Sequence, residues 1–209
     1  MNTFLIFIIE IIGTIAFSVS GAMTGIEKKM DIFGITILGL TTAVGGGIIR
    51  DVLTGCIPPQ TFRNPSYAAV AIVTAIIIFL FAYKGKLVYN TRIFEVLIFV
   101  MDSLGLGIFT VVGINTAWST SNEFGRFLLI FVGVLTGVGG GVLRDMLAGN
   151  TPYIFVKHVY ACASLAGAIV CVYAWEALGA TNAMLAGALV VVLIRLLSAH
   201  FKWNLPRIR

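Results

Sequence analysis

The chain has 209 residues, of which 59% are hydrophobic and only 11% charged, with a formal net charge of +5. A soluble domain usually carries about 25% charged residues, so this composition excludes an ordinary water-soluble fold. The basic residues are scattered through loops and the C-terminus, with no basic face or recognition motif, which excludes a nucleic-acid partner.

Seven apolar runs approach the roughly 20 residues that cross a bilayer. The fold class expected is therefore all-α integral membrane, one membrane domain over 1–209. The spans fall at about 4–24, 33–54, 66–83, 93–114, 125–147, 156–178 and 182–199. The first run lacks a basic leader and is too long for a signal-peptide core, so it reads as a retained span. Glu27 to Asp31 ends it. Pro58, Pro59 and Pro65 forbid a continuous helix between the second and third runs. Lys84 to Arg92 follows the third, Trp118 to Glu123 the fourth, and Asn150-Thr151-Pro152 the fifth. Gly179 to Asn182 separates the last two. Lys and Arg concentrate in alternate loops: Lys28 and Lys29; Lys84, Lys86 and Arg92; Lys157; then Lys202, Arg207 and Arg209. The positive-inside rule puts those loops in the cytoplasm, hence the N-terminus outside and the C-terminus inside.

One motif occurs twice. Val44-Gly45-Gly46-Gly47-Ile48-Ile49-Arg50-Asp51-Val52-Leu53-Thr54-Gly55 returns as Val138-Gly139-Gly140-Gly141-Val142-Leu143-Arg144-Asp145-Met146-Leu147-Ala148-Gly149. The echo extends outward. Glu10, Gly13, Phe17 and Gly21 match Asp102, Gly105, Phe109 and Gly113, and Tyr67-Ala68 matches Tyr160-Ala161. The chain reads as a first repeat over 4–83, a second over 93–178 and a lone span at 182–199. Three spans per repeat is odd, so the second copy enters the membrane from the opposite side. Such inverted repeats place a solute path near the midplane.

Each glycine costs about 1 kcal/mol relative to Ala inside a helix. Close helix packing would explain one triplet. Two triplets, Gly45 to Gly47 and Gly139 to Gly141, each followed by Arg-Asp, favour a kink that turns backbone toward a wet cavity. A charge at the centre of a span costs about 3 kcal/mol on insertion scales. Arg50, Asp51, Arg144, Asp145, Glu10 and Asp102 are thus candidate pore charges. Their depths suggest two pairs, Glu10 with Arg50 and Asp102 with Arg144, although each base could also pair with Asp51 or Asp145 of the other repeat. Four acids against two bases favour a cation. Ser18, Ser20 and Thr110 are candidate polar lining. Arg195, near the inner end of the last span, reads as snorkelling to the interface. Lys157, Lys202, Arg207 and Arg209 form a basic rim facing anionic membrane lipid.

Catalysis and metal binding find no support. His158 and His200 have no partner set for nucleophilic chemistry, and no ligand cluster or cofactor motif is visible. Cys162 and Cys171 share an apolar run and read as buried small hydrophobes.

The duplicated Gly-Gly-Gly-x-x-Arg-Asp, the three-plus-three-plus-one arrangement and the size resemble the prokaryotic trimeric intracellular cation (TRIC) channel family. Those proteins carry the duplicated "glycine transporter" domain. The resemblance implies a homotrimer of seven-helix protomers in the inner membrane. Each protomer would hold its own pore, kinked at the triplets and permeable to K⁺ with some Na⁺. The Lys-Glu-Val motif of animal members is absent. Two rival readings stand. One is a secondary transporter of glycine or another small zwitterion, which broken helices with opposed charges also suit. The other is a non-conducting scaffold or lipid-binding protein.

Overall fold

The computed structural model describes residues 3–85, 91–121, 123–156 and 159–203, and it contains only helices among them. In chain order these are α1 (Thr3–Glu27), α2 (Ile32–Leu53), α3 (Gln60–Arg63), α4 (Ser66–Tyr83), α5 (Thr91–Thr120), α6 (Arg126–Leu147), α7 (Tyr153–Val156) and α8 (Tyr160–His200). Six of them are long and apolar enough to cross a membrane.

The apolar surfaces face outward as well as inward. Helix α4 has a mean hydropathy of 2.3, yet it buries only Ala71 and Ala75. Leu80, Phe81 and Tyr83 are exposed, as are Phe127 and Phe131 of α6. Water would not tolerate so continuous an apolar exterior, whereas hydrocarbon does.

Local signals explain the ends. Asp31 caps α2 by accepting the Gly34 N–H at 2.7 Å. Helices α2 and α6 end alike. The Gly55 N–H donates to the Val52 carbonyl and the Cys56 N–H to that of Asp51. The Gly149 N–H donates to Met146 and the Asn150 N–H to Asp145. Gly55 and Gly149 have φ of 76° and 68°, the left-handed geometry that closes a Schellman turn.

Three departures from the expected spans have identifiable causes. Helix α5 runs through Trp118 to Thr120, and Trp118 stacks on Trp175 at 4.7 Å, which anchors the extra turns. The loops after α2 and α6 each hold a short helix, α3 and α7, so α8 starts at Tyr160 rather than 156. The last expected break is one residue wide. Gly179, with φ 74° and ψ 159°, is the non-helical residue inside α8. A straight 41-residue helix would be about 60 Å long, twice a bilayer core.

Helix α1 packs on α2 and α4, and α5 packs on α6 and α8. The two groups meet through α2 against α6 and α1 against α5. These contacts are reciprocal. A Cβ on Gly46 would fall on the Thr136 carbonyl oxygen, and one on Gly140 would fall on that of Thr42. Gly13 lies against Phe109 and Gly105 against Phe17. Phe17 and Phe109 meet each other at 5.2 Å. These glycine and phenylalanine contacts from the first half to the second are matched by their counterparts in the other direction.

Candidate functional site

Both glycine triplets lie inside uninterrupted helix. Their middle residues form the crossing of α2 and α6, where only a hydrogen fits. Gly47 and Gly141 point elsewhere: a Cβ on Gly47 would meet Arg50 Nη2 at 3.7 Å, and one on Gly141 the Tyr160 hydroxyl at 2.7 Å. The triplets therefore let two backbones touch while their last residues face the charged side chains.

The Arg-Asp pairs follow one turn later, and each bonds to itself. Arg50 Nε donates to Asp51 Oδ1 at 2.8 Å, with Nη2 also at 2.8 Å. Arg144 Nε donates to Asp145 Oδ1 at 2.9 Å, with Nη2 at 2.8 Å. The other carboxylate oxygen fastens the next element. Asp51 Oδ2 accepts the Gln60 N–H at 2.7 Å, and Asp145 Oδ2 accepts the Tyr153 N–H at 2.8 Å. Adjacent helix residues diverge by about 100°, but the long arginine chain folds back to reach its neighbour. One aspartate thus holds both a guanidinium and the short helix beyond the loop.

Beyond this shared unit the copies differ. Arg144 Nη1 donates to Asp102 Oδ1 and to Ser20 Oγ, each at 2.6 Å. The Tyr160 hydroxyl reaches the same Asp102 oxygen at 3.4 Å. The guanidinium also lies 4.9 Å from the Tyr153 ring centroid. Arg144 and Asp102 are fully enclosed. The expected Asp102–Arg144 pair is present.

The expected Glu10–Arg50 pair is not. Glu10 instead accepts a short hydrogen bond from the Tyr67 hydroxyl. Glu10, Thr14, Gly47, Arg50, Tyr67 and Phe109 line a cavity of about 40 Å³, large enough for water. Arg50 lacks an acceptor that Arg144 has. Where Ser20 anchors Arg144, the corresponding position in the other half is Val112, which also lines this cavity.

Arg195 does not snorkel. It is 1% exposed, with Nε 3.3 Å from Ser103 Oγ and Nη2 3.8 Å from Asp102 Oδ2. Its guanidinium lies 4.7 Å from the ring centroids of both Phe99 and Tyr160. Near a helix end an inward turn is as accessible as an outward one, and two aromatic faces with a carboxylate drew it inward. Cys171 is buried as expected, but Cys162 is exposed on the outer face of α8.

The three hydroxyls expected on a lining are satisfied inside the protein. Ser18 donates to the Ala71 carbonyl at 2.6 Å. Thr110 bonds the Leu106 carbonyl and Ser164 Oγ, each at 2.7 Å. Ser20 holds Arg144, as above. Lys202 is exposed, while Lys157, Arg207 and Arg209 lie outside the described residues. Sequence reasoning gave no role to Tyr67, Tyr160, Gln60 or Tyr153. The paired tyrosines carried a signal, since each follows its acid at nearly the same interval. The backbone donors of Gln60 and Tyr153 carried none.

The chain matches the family model described as "Glycine transporter" twice, over residues 7–83 and 99–176. It is 34% identical over 204 residues to the UPF0126 inner membrane protein YadS of Escherichia coli, covering 97% of this chain and 95% of that one. It is 36% identical over 200 residues to a UPF0126 membrane protein of Deinococcus radiodurans, covering 95% and 89%. Among solved structures it resembles a prokaryotic TRIC channel in 0.5 M KCl, with a TM-score of 0.88, 32% identity and 97% and 99% coverage. It also resembles the TRIC trimeric intracellular cation channel orthologue from Rhodobacter sphaeroides, with a TM-score of 0.85, 32% identity and 95% and 99% coverage. These relatives are membrane proteins and channels rather than enzymes.

Proposed function

The chain belongs to the prokaryotic TRIC channel family, which carries the duplicated glycine-transporter domain, and on that premise we propose that it is a passive cation channel with its path inside each protomer. The observation that carries this reading is the likeness to solved TRIC channels over almost the whole chain. The charge pattern supports it. Glu10 and Arg50 line the cavity in the first half and Asp51 pairs with Arg50; two acids against one base in this cluster favour a cation.

The working form is a homotrimer in the inner membrane, in contact with its lipids, the N-terminus outside and Lys202 at the inner rim. Counting α8 as two spans around Gly179 gives seven. The two three-span repeats are inverted, and the reciprocal contacts between α2 and α6 support that relation. Potassium is the permeant ion, with sodium carried less well. Two half-channels end at the Arg50 and Arg144 clusters. Bending at Gly45 to Gly47 and Gly139 to Gly141 lets them communicate.

Reconstitution in planar bilayers under a KCl gradient tests this. Unitary currents reversing near the K⁺ equilibrium potential are expected. Saturable uptake of glycine without unitary currents would establish the carrier instead. Sidedness is read in the same vesicles from Lys84→Cys, which should react only from the cytoplasmic face.

A further inference from the structure

The two charge clusters are copies of one arrangement with a single insertion. Beside Glu10, the rings of Phe7 and Tyr67 face each other at 6.0 Å. Their counterparts beside Asp102 are Phe99 and Tyr160. There the Arg195 guanidinium contacts both rings, 4.7 Å from each centroid. Arg195 comes from the part of α8 beyond Gly179, which has no counterpart in the first repeat.

Three differences accompany it. The Tyr160 hydroxyl stands 3.4 Å from Asp102, whereas that of Tyr67 is closer to Glu10. The second cluster is enclosed, while the first opens on a cavity. The formal charge also differs. Arg144 and Arg195 balance Asp102 and Asp145, whereas Arg50 stands against both Glu10 and Asp51. Asp102 Oδ2 has no hydrogen-bond partner and faces Arg195 Nη2 at 3.8 Å.

We propose that Arg195 is a tethered cation that occludes the second half of the path, its guanidinium standing beside Asp102 where a permeating monovalent cation would stand. This rests on the channel reading above. A fixed positive charge repels a mobile one at the same carboxylate. Conduction then requires Arg195 to withdraw with the end of α8, leaving Arg144 against two acids, the balance already found around Arg50. Arg195 thus makes the closed state and does not anchor the fold, because Arg144 alone already bonds Asp102 at 2.6 Å.

Single-channel recording of the full-length trimer under a KCl gradient tests the assignment with Arg195→Gln, Arg195→Lys and Phe99→Leu. Arg195→Gln is expected to raise mean current severalfold and to move the reversal potential toward that of K⁺. Arg195→Lys, which keeps the charge, is expected to stay close to the parent. Phe99→Leu removes one supporting ring without changing any charge, and it should raise open probability in the same direction. An Arg195→Gln trimer that conducts like the parent, or falls silent while still assembled, overturns the proposal. If Arg195→Gln does not assemble, Phe99→Leu decides alone, and an unchanged open probability overturns it. Absence of unitary currents from the parent protein overturns the channel reading itself, and the proposal with it.

Discussion

At the residue scale the glycine triplets divide into two jobs. Gly46 and Gly140 have no room for a methyl group, because the Thr136 and Thr42 carbonyls occupy the space. Gly47 has room, its nearest neighbour being a flexible guanidinium at 3.7 Å. Gly46→Ala should therefore destabilise the protein by about 1–3 kcal/mol through overpacking. Gly47→Ala should be neutral or stabilising by up to about 1 kcal/mol, since Ala favours helix. Thermal unfolding in detergent separates them, and equal losses would remove the distinction. If bending at the triplet opens the path, Gly47→Ala also lowers open probability without lowering stability. The sequence marked these residues but not their division. Three adjacent glycines point in three directions about 100° apart, and only the neighbouring helix decides which one it meets.

At the element scale the aspartates act as ties between a long helix and the short one that follows. Asp51 joins α2 to α3, and Asp145 joins α6 to α7. Their removal should not cost the same. Arg144 keeps Asp102 when Asp145 is neutralised. Among the described residues Arg50 has Asp51 as its one ion-pair partner. Asp51→Asn should thus cost about 3–5 kcal/mol, the usual penalty for a stranded buried charge. Asp145→Asn should cost nearer 1–3 kcal/mol, the loss of a charged hydrogen bond. Equal or reversed melting-temperature shifts of the detergent-solubilised protein would contradict this ranking. Span positions were readable because hydrophobic length is a local property. The ends at Gly55 and Gly149 needed the backbone, since a glycine after an apolar run is as consistent with a loop as with a left-handed cap. The one-residue break at Gly179 stood in the sequence as a Gly-Ala-Thr-Asn stretch, although helix resumes at once on its far side.

At the scale of the whole molecule the duplication was legible and its divergence was not. Matching depths of Glu10 with Arg50, and of Asp102 with Arg144, implied equal pairs. The structure kept the second and replaced the first with Glu10 and Tyr67. The cause lies across the repeat boundary. Arg144 has Ser20 from the opposite half, while Arg50 has Val112 there. A pattern that compares each repeat only with itself cannot contain that information. Arg195 was misjudged for a related reason, because it belongs to the segment that neither repeat contains.

The reciprocal packing has one more consequence. The halves are held by α2 against α6 and α1 against α5, contacts made between helices that lie on either side of Gly85 in the chain. Covalent continuity there should be dispensable. Co-expressed fragments 1–85 and 86–209 should find each other in the bilayer and co-purify through a tag on either one. If they never associate, the linker directs assembly. If they do, the monomer is in effect a heterodimer of two half-molecules joined by a dispensable tether.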